Sequence, residues 1–277
     1  VRKIVGIDRK IKRAWLDDLL DQLATTTDEA KLRLFIDGRL REELPGDESR
    51  KKSAGIILRI WCGIPSERLS LRDRAVALLA RLSGQERVWL HWGMTALAYP
   101  FFRDTAEVVG RLLVLQDDFT TANVQSRLIT AWGDRATIRE AAQKLITTMV
   151  DWKVLQSMKT KGHFMPAHKM TTSIADVQLW LLETLLRASE ADEIEAQQLL
   201  RLPESFPFAL KVGLGDLRKH DEFNIHRQGL DMDMVALHPI KARQPLMPEN
   251  KSKKTGATEQ AQPSLFDKHV KASSLSK

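Results

Sequence analysis

Along the first 240 positions, apolar residues recur mostly at three- and four-residue steps, and the breaks between runs fall at Pro, Gly or Ser/Thr clusters. That spacing predicts helices in succession. Lys10 to Leu23 places Ile11, Ala14, Trp15, Leu19 and Leu23 on one face. Thr25-Thr26-Thr27-Asp28 interrupts the pattern and offers a cap for a second helix, about Glu29 to Leu44, which stops at Pro45-Gly46. Ser49 to Trp61, Leu71 to Leu82, Glu86 to Ala98 and Phe102 to Leu115 follow, separated by Gly63-Ile64-Pro65, Ser83-Gly84 and Pro100.

Between Thr120 and Met170 the pattern changes character. A helix carrying Val124, Leu128 and Ile129 stops at Trp132-Gly133, and the turn Gly133-Asp134-Arg135 leads into a second helix, Thr137 to about Leu155. Ile138, Ala141, Ala142, Leu145, Ile146, Met149 and Val150 form its apolar stripe. The tip Lys159-Thr160-Lys161-Gly162-His163 then reads as the turn of a small β-hairpin, with Phe164-Met165 beyond it. Two helices and a hairpin in this order predict a winged helix-turn-helix. Thr137 is placed to cap the second helix, and Glu140 three residues on completes a capping box. A helix N-terminus of this kind also favours a phosphate. The outward face offers Arg139, Gln143 and Lys144, side-chain types that hydrogen-bond base edges or phosphates. Lys159, Lys161 and His163 on the hairpin tip would lie beside the duplex backbone, and Arg135 and Thr137 at the start of the second helix are further candidate DNA-binding residues.

Ser173 to Ala188 is a strong helical run, with Ser173 as its cap and Val177, Leu181, Leu182, Leu185 and Leu186 inward. Ile194 to Leu200 is a shorter helix, and Phe206 to Leu217 reads as loop or strand start because of Phe-Pro-Phe and two Gly. His220 to Leu237 predicts a closing hairpin around Gly229. No internal repeat is visible. The expected fold is therefore mainly α, in four parts: a helical N-terminal domain (1–100), the winged unit (101–172), a helical region with a short hairpin (173–240), and a tail (241–277). In the tail Lys, Ser, Gln, Thr and Pro dominate, a composition that predicts disorder.

The net charge of +7 is unevenly spread. The tail holds eight Lys/Arg against three Asp/Glu, and Arg135 to Lys169 holds seven against two. The remainder of the chain is slightly acidic. Cations gathered on one motif suit nucleic-acid contact, because each neutralised phosphate releases counterions.

Other chemistry is sparse. There is no Gly-rich phosphate loop, His-Glu-x-x-His or Gly-x-Ser-x-Gly, and no cofactor is expected. The seven His are scattered, Cys62 is alone, and Asp231 with Asp233 lacks the further carboxylates that a metal would need. Seven Trp read as packing anchors. No apolar run approaches a membrane span, and the first residues lack a signal-peptide core, so a cytoplasmic protein is expected. Gln262-Pro263-Ser264-Leu265-Phe266 resembles the Gln-x-x-Leu-Phe peptide by which bacterial DNA-maintenance proteins bind the replicative sliding clamp. Leu265 and Phe266 would fill its pocket while Gln262 fixes orientation.

Ala131-Trp132-Gly133-Asp134-Arg135, Lys144-Leu145 and Val150-Asp151-Trp152-Lys153-Val154-Leu155, preceded by a helical domain, resemble the BrxA-like accessory proteins of bacterial BREX-type phage-defence loci. The resemblance spans Trp89 to Leu186. It implies a non-enzymatic subunit that binds double-stranded DNA beside a methyltransferase and an ATPase. A winged-helix transcriptional regulator and a protein-binding scaffold are the alternatives that the residues leave open.

Overall fold

Helix α1 (Arg13–Leu23) forms where Trp15, Leu16, Leu19, Leu20 and Leu23 give one continuous buried stripe. A computed structural model describes residues 4–239 except Glu190, Leu230 and Asp231, so the clamp-like residues Gln262, Leu265 and Phe266 lie outside the described residues. Asp28 caps α2 (Glu29–Leu40) by accepting from the N–H groups of Ala30 and Lys31. Helices α3 (Asp47–Trp61), α4 (Leu69–Leu78), α5 (Arg87–Ala98) and α6 (Pro100–Leu115) follow. The chain is mainly helical, with two small three-stranded sheets among the described residues. No helix there is long and apolar enough to cross a membrane.

The middle of the chain runs through strand β1 (Phe119–Thr120), helices α7 (Thr121–Trp132) and α8 (Ala136–Asp151), and strands β2 (Leu155–Ser157) and β3 (His163–Pro166). Helix α9 (Ala175–Ser189), strand β4 (Glu193–Glu195) and the short helices α10 (Ala196–Leu199) and α11 (Leu214–Lys219) come next. Strands β5 (Phe223–Gln228) and β6 (Met232–Leu237) close the described part. The sheets are antiparallel, ordered β1-β3-β2 and β4-β6-β5.

Several boundaries differ from the sequence expectation, each for a local reason. Residues 4–12 are not helical. They run beside α8, where Ile11 N–H donates to Thr148 Oγ1 (3.0 Å), Arg13 N–H to Asp151 Oδ1 (2.9 Å) and Trp152 Nε1 to the Ile11 carbonyl (3.0 Å). Helix α8 ends at Asp151, not Leu155, because Lys153 takes a positive φ of 60° and turns the chain into β2. Thr172, not Ser173, receives the N–H of Ile174 ahead of α9.

One hydrophobic core runs from Val5 to Val235 across the expected part boundaries. At its centre Trp92 packs edge-on against Phe102, Trp152, Phe206 and Phe208, and its indole donates to the Glu204 carbonyl at 2.9 Å. Gly93 lets Trp180 lie against α5, since a Cβ there would meet the ring at 2.8 Å.

Glu204 beside this core is only 5% exposed, and burial pushes its carboxyl up to about 7 from 4.5. Between those two values the folded chain holds the proton more tightly than the unfolded one. Stability therefore falls as pH rises from about 4.5 to about 7. Glu204→Gln should flatten that slope and raise stability above neutral pH by about 3 kcal/mol. Urea melts at several pH values would check this; a parental slope retained by the variant would refute it.

Candidate nucleic-acid interface

Helix α7 begins at a true capping box. Thr120 Oγ1 accepts from Asn123 N–H at 3.1 Å while Asn123 Oδ1 accepts from Thr120 N–H at 2.8 Å. The box anticipated at Thr137 and Glu140 does not form. Ala136 is already helical, so Arg135 is the N-cap, with no side-chain cap, and Thr137 sits inside the first turn. Gly133, at φ 86°, makes the turn between the helices. Leu128 and Val124 on α7 and Ile138, Ala141, Leu145 and Ile146 on α8 pack inward, which fixes the angle at which α8 shows its other side.

That outer side carries Arg139, Glu140, Gln143 and Lys144, all exposed. Arg139 is not a bare cation: its Nη2 lies 2.7 and 2.9 Å from the two Asp134 oxygens, and Gln125 Nε2 donates to its carbonyl at 2.8 Å. Arg135 is half-buried and donates to the Trp132 carbonyl at 3.1 Å. With Thr137 and Glu140, Arg135 lines an open cavity of about 490 Å³ that Val5 and Asp8 of the N-terminal segment also line. Two carboxylates in that cavity weaken it as a place for phosphate.

The hairpin tip is cleaner. Lys159 and Lys161 are exposed on either side of Thr160, and Gly162 at φ 81° completes the turn. Phe164 stacks on Phe119 with centroids 5.9 Å apart, which pins β3 to β1. His163 is not on the tip: it lies in β3 opposite Thr120, half-buried, with Nδ1 3.0 Å from Asp118 Oδ2. Arg139, Gln143 and Lys144 are thus solvent-facing on α8 and Lys159 and Lys161 on the hairpin that follows it, while Arg135 and His163 are partly committed to the fold. Exposed Arg127 on α7 adds a cation that the sequence reading did not single out, and exposed Lys153 after α8 adds one that it counted without assigning to DNA. Arg127 lies outside the basic window that begins at Arg135.

Comparison with protein-family models, with curated proteins and with solved structures finds no match to this chain.

Proposed function

We propose that residues 100–166 form a winged helix-turn-helix that grips double-stranded DNA, with α8 against the duplex and the β2–β3 hairpin as its wing. The observation that carries this reading is the arrangement itself: lead helix, strand, two helices, two-stranded hairpin, with sheet order β1-β3-β2. Its outward cations support the same reading. Lys144 supplies charge from the helix, and Lys159 with Lys161 supplies it from the wing. The resemblance to BrxA-like proteins extends the proposal to a non-enzymatic accessory subunit of a phage-defence system, working beside a methyltransferase and an ATPase. Contacts of this type go mainly to phosphates, so binding should be tolerant of sequence and sensitive to salt.

The test is anisotropy titration of a fluorescent duplex across a salt series. Each lysine that neutralises one phosphate contributes about 0.9 to the slope of log affinity against log salt. Replacing Lys144, Lys159 and Lys161 by Gln should lower that slope by about 2 to 3, and replacing all three by Glu should weaken binding about 100-fold or more. Unchanged affinity and slope would sink the proposal.

A further inference from the structure

The order of elements that carries the DNA reading occurs twice. Lead helix α6, strand β1, helices α7 and α8, and hairpin β2–β3 have counterparts in α9, β4, α10, α11 and β5–β6. The lead helices are 16 and 15 residues long, and both sheets run first strand, third strand, second strand. Each hairpin turns near a glycine at positive φ, Gly162 at 81° and Gly229 at 68°. The second copy differs by shorter internal helices and by residues 200–213 between them, which include the 3-10 turn Pro203–Ser205.

The copies have opposite charge. From β1 through β3 the chain holds seven Lys/Arg and three Asp/Glu; from β4 through β6 it holds five and eight. The second copy also engages its own polar groups. Arg218 on α11 is 3.0 Å from each oxygen of Asp233, and His226 Nε2 is 3.3 Å from Glu193. A duplex would meet net negative charge there.

What the second copy does offer is an acidic, methionine-walled trough. On the outer face of its sheet Glu195 stands directly opposite Met234, and Met232 is 46% exposed. Across from them lies α6 with Arg103, Glu107 and Arg111, and Glu204 also lines the space, a cavity of about 550 Å³. Both arginines are occupied: Arg103 by Asp104 and the Ala188 carbonyl, Arg111 by Glu107 at 2.6 Å. Glu193 is held by His226. Glu195 and Glu204 form no ion pair among the described residues, and Glu204, a residue only 5% exposed, has no hydrogen bond from its carboxyl group to another described residue.

We propose that the second unit is a protein-docking copy of the first, whose trough seats a lysine or arginine side chain from a basic segment of a partner protein. Glu195 and Glu204 would take the charged head, and Met232 and Met234 the aliphatic stem. The assignment of duplex to the first copy alone rests on the function proposed above; the trough does not.

Two arms, run on the full chain, test this. In the first, an oligolysine peptide and its fully acetylated form are titrated against the parent, against Glu195→Gln with Glu204→Gln, and against the charge-matched Glu29→Gln with Glu67→Gln on remote surface. The trough pair should weaken the unmodified peptide about tenfold or more, a loss of roughly 1.4 kcal/mol. The remote pair should stay within about twofold of the parent, and the acetylated peptide should fail to bind. Equal losses in both pairs, or none in either, would overturn the docking site. Since Glu204→Gln removes a buried charge, failure to fold is not expected, and a melting curve confirms it. In the second arm, Arg218→Glu with Lys219→Glu should leave duplex affinity within about twofold, while the Lys144, Lys159 and Lys161 variants lose it. Duplex loss from the Arg218 and Lys219 pair would overturn the division between copies and leave the first copy's role intact. No duplex loss from the three-lysine variant would refute that role, with the peptide result still standing.

Discussion

Alanine at position 110 is expected to destabilise the fold by about 2–4 kcal/mol, although alanine is the better helix former. Gly110 lies within α6, and a Cβ there would sit 1.9 Å from the Pro203 carbonyl oxygen and 2.6 Å from its carbon. Both are backbone atoms, so no side chain can swing aside. Either α6 must move or the Pro203–Ser205 turn must leave it, and that turn is anchored through the Trp92 bond to the Glu204 carbonyl. The contact joins the lead helix of the first copy to the insertion in the second, so its loss should also open the trough. Gly55→Ala is the control. Gly55 is in α3 with nothing within 4 Å of its Cβ, and alanine there should add about 0.5–1 kcal/mol. Denaturant melts of the two variants should therefore shift in opposite directions; a stabilised Gly110→Ala would show that the close approach is not maintained in solution.

The different fates of these two glycines also show what was legible in the chain. Helix interiors and the β2–β3 hairpin could be read because each rests on local spacing: the stripe from Ile138 to Met149, or Gly162 at a tip. Element ends were less legible. Thr137 with Glu140 matches the capping-box pattern yet forms no box, while Thr120 with Asn123 lacks its Glu or Gln and forms one, so only the backbone shows where the capped start lies. His163 was assigned to the tip because strand β1, only two residues long, carries no periodicity to reveal the pairing that sets His163 beside Asp118. The second copy was invisible for a related reason. Its α10 spans four residues, too few for a helical stripe, and residues 200–213 part it from α11. Phe206 to Leu217 reads as loop or strand start, and its last four residues are in fact the start of α11. Trough residues gather from α6, β4, β6 and the insertion, so no window of sequence contains them.

The second large effect concerns Glu183, which has no exposed surface and holds two arginines. Arg74 Nη2 donates to both of its oxygens at 2.7 Å, and Arg187 Nε donates to Oε1 at 2.8 Å. Arg187 reaches on to the His238 carbonyl at 3.1 Å, and both arginines lie within 3.5 Å of Glu222. Four parts of the chain meet here: α4, α9, the approach to β5 and the residue after β6. Glu183→Gln keeps the volume but removes the charge and turns an amide toward guanidinium donors. The expected cost is about 3–5 kcal/mol, the penalty for stripping the partner from a buried cation, and it should appear as a lowered urea midpoint. Arg74 and Glu222 are each about 30% exposed, so Glu222→Gln should cost no more than about 1 kcal/mol. Replacing both Glu183 and Arg187 by Met should cost less than Glu183→Gln alone, because the more buried arginine goes with its partner and the remaining Arg74 is a third exposed and keeps Glu222 at 3.4 Å. A double variant less stable than Glu183→Gln would mean that this network contributes direct stabilisation beyond the mutual compensation of its charges.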